Sequence, residues 1–238
     1  MTARRVFLPP ERIAPGRAAL TPEAIHYLRD VLRLAPGAPL ELFDGAGGAY
    51  AARIEEGFAG LALGDRREAR PALPLWLLPA LAKGEKMDLV VQKATELGAT
   101  HLAPFAAERS VVRLEPEKAA ARVERWRRIA AEAARQCGRA DVPELRAPAR
   151  LADALAAVPA RAARFVFHPG GGPLPADLRP GAVAAVVGPE GGLTEAEVEA
   201  CEAVGARRTS LGPRVLRAET AAVVAVALLQ ASFGDLAG

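Results

Sequence analysis

The chain has 238 residues and 51% of them are apolar, enough to bury a core and too many for a disordered protein. No apolar run approaches the roughly 20 residues a membrane-spanning helix needs, and the basic start MTARRVFLPPERIAPGR lacks a signal-peptide core; the expected location is the cytoplasm, away from any membrane. Net charge is only +3, which by itself does not single out a nucleic-acid ligand.

The distribution of charge says more than its sum. Residues 1–17 carry Arg4, Arg5, Arg12 and Arg17 against Glu11, and residues 115–139 carry seven basic groups against four acidic ones. A compositional bias that replaces lysine with arginine explains the residue choice. It does not explain the clustering, which leaves a phosphate-backbone footprint open. Cys137 and Cys201 form neither a zinc motif nor a disulfide framework, and His26, His101 and His168 lie far apart, so no metal site is expected.

In chain order, RRVFLP reads as a short strand. TPEAIHYLRDVLRLA (21–35) reads as a helix with Thr21 as N-cap, Pro22 in the first turn, and Ile25, Leu28, Val31 and Leu32 on one face. PLELFDG and AYAARIEE flank DGAGGA, a hairpin signal; Tyr50 stands where a dinucleotide fingerprint wants glycine, and the loop joins two strands. With LALGDRRE as a further strand, residues 1–70 fit a small barrel with one helix. ARPALP (69–74) is a linker. From residue 71 to 238 strands and helices alternate. The strands are LWLLPAL, HLAPF, RFVFHP, AVAAVVG and RTSLG; the helices are 83–99, 115–139, 150–158, 194–205 and 217–234. That is the pattern of a parallel α/β sheet, and alternation alone implies an ordinary doubly wound one.

Three strands run into glycine-containing loops: FVFHPGGG, AVVGPEGG and TSLGPRV. In an open α/β sheet, ligands sit outside the carboxyl ends of the strands, and glycine lets backbone approach them. One such loop would be a tight turn; three suggest a ligand site. Thr194 and Glu197 make a capping box for the helix after the second loop, with Glu190 upstream of it. The last helix is Ala, Val and Leu throughout Ala221–Leu229, so it must be covered all round by core or by a second subunit. Thr220 or Glu219 could cap it. Arg217 and Glu219 either pair with nearby charges or act at a reacting centre, where a guanidinium beside a helix N-terminus would stabilise an anion.

These stretches, together with HYLRDVLRL, LELFDG, KGEKMDLVVQKATELG, ERS, RWRRIAAEAARQCGR, VPEL, GPEGGLTEAE, LGPRVLRAETA and FGDL, resemble the RsmE family of 16S ribosomal RNA uridine N3-methyltransferases, of the SPOUT superfamily. The resemblance runs nearly end to end. It implies a PUA-like RNA-binding barrel over 1–70 and a trefoil-knotted, S-adenosylmethionine-dependent methyltransferase domain over 71–238, acting as a homodimer on 16S rRNA or the small ribosomal subunit. Carried over by position, His168, Val187, Gly188, Pro189, Glu190, Gly192, Leu211, Gly212, Leu216, Arg217, Glu219, Thr220 and Ala221 would hold the cofactor. Arg217 would stabilise charge on the uracil while Glu219 orients it; no proton-accepting base can be named. Candidate RNA contacts are Arg4, Arg5, Arg29, Arg33, Arg109, Arg125, Arg128 and Arg139. A non-catalytic RNA-binding factor, or methylation of a ribose hydroxyl, remains the alternative.

Overall fold

The computed structural model describes residues 4–69, 73–110 and 116–236, with side chains from 119 onward in the helix that opens the last stretch. The expected linker residues Arg70, Pro71 and Ala72, and the helix start at Glu115, lie outside the described residues. The chain forms two compact units: Met1–Pro71 with Ala131–Val142, and Ala72–Ala130 with Pro143–Gly238.

The first unit holds β1 (Arg5–Phe7), β2 (Ile13–Ala14), β3 (Arg17–Ala18), α1 (Pro22–His26), β4 (Pro39–Phe43), β5 (Gly48–Ile54) and β6 (Leu61–Glu68). Its sheet runs β1-β4-β5-β6-β3-β2 and is antiparallel except for β1 on β4. The hairpin forms as its turn signal implies. Phe43 faces Ala49, and Asp44 Oδ1 accepts the amides of Ala46 and Gly48, both at 2.7 Å. Leu8, Leu28, Leu42, Ile54 and Leu61 fill its core. Residues 131–142 add Ala134 and Ala140 to a second cluster around Phe43 and Ala49, so the helix read as one piece over 115–139 contributes to both units.

The helix expected over 21–35 is shorter. Thr21 Oγ1 does accept the Ala24 amide at 3.1 Å, and Pro22 does open the helix. After His26, however, the chain widens into a π turn over Tyr27–Val31. The extra residue per turn rotates the later side chains about the helix axis. Leu28 stays buried, but Val31, expected on the same face, is 58% exposed.

The second unit contains β7 (Leu75–Pro79), α2 (Lys86–Glu96), β8 (His101–Leu102), β9 (Phe105–Ala106), α3 (Pro116–Cys137, as far as Ala130), β10 (Glu144–Leu145), β11 (Ala149–Arg150), α4 (Leu151–Ala157), β12 (Ala163–Gly172), β13 (Val183–Val187), α5 (Glu195–Ala203), β14 (Ala206–Thr209) and α6 (Ala218–Phe233). One all-parallel sheet runs β10-β8-β7-β13-β12-β14. β7 and β13 are buried at every position, as strands covered on both faces must be. Alternation sends Trp76, Leu78, Val166, Ala184 and Val186 to the side of α4 and α5, with Val198 and Cys201. Leu75, Leu77, Phe165, Val183 and Ala185 take the other parity and are also buried. There α6 packs on β7, β13 and α2, and Phe165 stacks on Phe233 with centroids 5.9 Å apart.

Two sequence expectations change here. HLAPF is two short strands, because Pro104 interrupts it; its carbonyl still takes the Ala149 amide, and β9 pairs with β11 in a separate ribbon. FVFHPGGG is not a free loop: β12 continues through an irregularity to Gly172, which pairs with Thr209. A Cβ on Gly171 would lie 2.4 Å from the Thr209 carbonyl carbon, so glycine is required there for backbone packing. Within this unit α6 is covered on part of its circumference, which leaves the rest to the second subunit that the sequence reading allowed. Ala222, Ala225, Val226 and Leu229 are buried, whereas Leu228 is 36% exposed and Val224 and Ala227 are half-buried.

Helix α6 is tied to the end of α2 by one buried amide. Gln230 Nε2 donates to Gly98 O at 3.1 Å; Gly98 sits at φ +91, and a Cβ there would stand 2.3 Å from that nitrogen. Gly98→Ala combines backbone strain with loss of a buried hydrogen bond and should lower unfolding free energy by about 2–4 kcal/mol. Denaturant titration checks this; an unchanged midpoint would mean that the α2–α6 junction adapts freely.

Candidate active site

Because the sheet is parallel, the chain leaves several strands at one edge. Residues 167–169 of β12, the 187–193 loop after β13 and the stretch after β14 meet there around a cleft of about 300 Å³. Val187, Leu211, Leu216, Ala218 and Ala221 supply apolar wall. Gly192 and Gly212 line it with positive φ values of +72 and +103, and nothing lies within 4 Å of where their Cβ atoms would be. Both positions need glycine for conformation, and both open onto empty space.

The 187–193 loop is anchored by the capping box expected from sequence. Thr194 Oγ1 accepts the Glu197 amide at 3.3 Å, and Glu197 Oε2 accepts the Thr194 amide at 2.8 Å. The other oxygen of Glu197 accepts the Glu108 amide at 2.8 Å. That bond holds the 108–110 turn against the loop, and Arg109 Nη1 donates to Gly191 O at 3.2 Å. Across the cleft, His168 Nδ1 accepts the Gly170 amide at 3.2 Å, which leaves Nε2 to carry the proton of the neutral ring.

Helix α6 begins at the cleft without a side-chain cap. Arg217 is its N-cap residue, and neither Thr220 nor Glu219 fills the capping role. The positive end of the helix is therefore left at the site, with Ala218 and Ala221 lining it. Arg217 is exposed. Glu219 points inward, 9% exposed, and its neighbour is Lys86, Nζ to Oε2 3.7 Å. Glu219 thus pairs with Lys86, and the expectation that it orients Arg217 is not met. Lys86 also donates to Glu190 Oε1. That bond raises the lysine above its ordinary pKa and holds the Glu190 carboxyl below its own.

Of the residues expected at a cofactor, His168, Val187, Gly188, Pro189, Glu190, Gly192, Leu211, Gly212, Leu216 and Ala221 line the cleft. Arg217, Glu219 and Thr220 lie on the adjoining turn of α6. Among the expected RNA contacts, Arg5 is a structural residue: it is 6% exposed, bonds Glu41 at 2.7 Å and Ala134 O at 3.1 Å, and lies over Phe43. Arg139 is similarly committed, its side chain 12% exposed and paired with Asp141. Arg109 belongs to the cleft. Arg125 is exposed but forks onto Asp88, and Arg29 is exposed beside Asp30. Arg4, Arg33 and Arg128 remain exposed. Sequence reasoning missed Lys86, which opens α2 on the far side of the unit in sequence and carries no local signal.

The cleft fits S-adenosylmethionine. An apolar wall suits a purine, glycine-loop backbone suits its polar edges, Glu190 suits a cation and Arg109 a carboxylate. Among the described residues no three or more His, Cys, Asp or Glu side chains gather as metal ligands, and no helix is long and apolar enough to cross a membrane.

Comparison with known proteins agrees with this architecture. Residues 69–230 match the family described as RNA methyltransferase domain, and residues 20–57 match RNA methyltransferase PUA domain. A Synechocystis ribosomal RNA small subunit methyltransferase E is 34% identical, over 96% of this chain and 78% of the relative. Two solved structures cover almost all of both chains. A methyltransferase from Legionella pneumophila in complex with the bound cofactor SAM has 35% identity and TM-score 0.88, covering 99% of this chain and 100% of that one. Ribosomal RNA small subunit methyltransferase E from Neisseria gonorrhoeae bound to S-adenosyl methionine has 32% identity and TM-score 0.85, covering 98% and 99%. With an α/β methyltransferase fold behind a PUA-like domain, the chain belongs to the ribosomal RNA small subunit methyltransferase E family.

Proposed function

We propose that this protein methylates N3 of a uridine in 16S ribosomal RNA, with S-adenosylmethionine bound in the carboxyl-edge cleft. The observation that carries the reading is that three separated stretches, two of them lining it with glycines, close on one cleft that also holds a carboxylate and adjoins an uncapped helix start. Residues 71–238 form the methyltransferase domain and residues 1–70 the RNA-binding one. Action on the small subunit would place the protein in the cytoplasm. The trefoil knot is part of the same reading. After β14 at the sheet edge the chain returns past β12, so that α6 packs on β13 and β7.

The cofactor supplies an electrophilic methyl group. The chain must orient the uracil, keep water out and tolerate the charge that appears when N3 loses its proton to solvent. Arg217, exposed and unpaired among the described residues, can donate to a uracil carbonyl in a fixed fork geometry, and the free amides of α6 lie behind it. Val187, Leu216 and Ala221 provide the dry wall. Arg4, Arg33 and Arg128 are the exposed cations offered to RNA phosphates.

Incubating small-subunit RNA with protein and cofactor, then analysing nucleosides, should yield 3-methyluridine. A ribose-methylated nucleoside, or none, would overturn the assignment. In the same assay Arg217→Ala should lower the single-turnover rate by about 10²–10³ with little change in cofactor affinity, and Arg128→Glu should raise the KM for RNA. A full rate with weakened cofactor binding would make Arg217 a clamp and not a participant in the chemistry.

The open stripe of α6 is the proposed homodimer face. Leu228, Val224 and Ala227 recur at helical spacing and are only partly covered. Val224→Asp should give a folded monomer in sedimentation equilibrium, since a carboxylate cannot be buried there unpaired. A monomeric wild-type protein would refute the dimer.

A further inference from the structure

A second cleft opens beside the first. It holds about 400 Å³ between the chain after β7, the start of α2 and α3. β7 pairs directly with β13, so this chain and the 187–193 loop leave adjacent strands at the same edge. Glu85 and Met87 line the second cleft. Lys86, between them, reaches across to Glu190 on the lining of the first. One ion pair is thus the partition between the two. The floor of the second cleft is apolar: Leu81, Ala82, Met87 and Trp126, all buried. Its charged lining is Lys83, Arg122 and Arg125 against Glu85 and Asp88, three cations to two carboxylates. Arg125 is committed to Asp88, Nε to Oδ2 3.0 Å. Lys83 and Arg122 have neither a hydrogen bond nor an ion pair among the described residues.

We propose that this second cleft holds the nucleotide adjoining the target uridine, with its phosphodiester on Lys83 and Arg122 and its base over Leu81, Met87 and Trp126. A small anion would use the two free cations and leave the apolar floor idle. A nucleotide supplies a phosphodiester for the one and a flat, weakly polar ring for the other, the combination by which single strands are held. Only a nucleotide freed from its stack can put a base into the first cleft. A neighbouring nucleotide then crosses the Lys86–Glu190 partition, and the second cleft receives it there. The inference rests on the reading of the first cleft as the methylation site.

The affinity of the full-length protein for small-subunit RNA, read by fluorescence anisotropy without cofactor over a salt series, is the test. Lys83→Gln/Arg122→Gln removes two phosphate contacts and no bond within the protein, so the variant keeps the fold. Its affinity should fall about ten- to thirtyfold near 0.1 M salt, and the slope of log affinity against log salt should flatten by about 1.4. Arg161→Gln/Arg179→Gln removes the same charge from exposed positions that precede β12 and β13, at the opposite edge of the sheet. That control should stay within about twofold of wild type, because screening isolates distant charges. In the methylation assay the cleft variant should raise the KM for RNA and leave cofactor affinity and the rate at saturating RNA unchanged. Saturating RNA should also quench tryptophan emission through Trp126; no quench in the wild type would refute the base contact. An equal loss in both double variants would mean diffuse attraction, and an unchanged slope would mean no phosphate contact; either result overturns the site. Lost cofactor affinity with RNA affinity intact would overturn it too, by making the two clefts one cofactor site. If RNA binds with the expected slopes but no 3-methyluridine forms, the methylation reading fails and the RNA site stands.

Discussion

The pairing of β13 on both sides, with β7 and with β12, is the constraint on which the site depends. Both pairings are parallel and in register over five residues, Val183 to Val187. They align the ends of three strands, and so fix where the 187–193 loop and the stretch after β7 emerge. β14 then pairs with the outer side of β12, and the close approach of Gly171 to Thr209 brings the 209–217 stretch to the same edge. A shift of one residue in β13 would turn its side chains to the opposite face. Both faces are apolar, so burial alone would tolerate that shift poorly but not forbid it. The cap of α5, through Glu197, adds a polar constraint that fixes loop and strand end together.

The edge has to serve two charges of opposite sign. In the proposed reaction a cationic donor calls for a carboxylate, and a uracil losing its N3 proton calls for hydrogen-bond donors. Opposite charges stand apart at the start of α6. Arg217 stands outward at the cap and Glu219 turns inward toward Lys86. Arg217 has the extended backbone of an N-cap and Glu219 lies within the helix, so the sequence Arg-Ala-Glu divides the charges without a longer loop. Arg109 and Arg214 add positive charge to the lining of the cleft.

Much of this is written locally in the sequence. The hairpin turn at Asp44, the capping box at Thr194, the apolar strands β7 and β13, and the glycine loops after β13 and β14 all follow from short-range rules, and they appear where those rules put them. What is not local is not legible. The two-residue strands β8 to β11 are too short to show a period. The π turn after His26 has no compositional mark, so helical spacing alone puts Val31 inside. Arg5 looks like a surface cation until β1 is placed beside Glu41 and Ala134. Lys86 meets Glu190 and Glu219 only through the sheet, across more than a hundred residues. The motif cores are recognisable in the chain; the ion pairs that connect them require the fold.

The central claim is that the carboxyl edge of the parallel sheet is where the methyl donor binds. Hydrogen exchange with and without S-adenosylmethionine measures this directly. Amides of 187–193 and 211–221 should exchange more slowly when the cofactor is present, while those of the β4–β5 hairpin stay unchanged. Protection confined to the first unit, or none in either loop at saturating cofactor, would contradict the account.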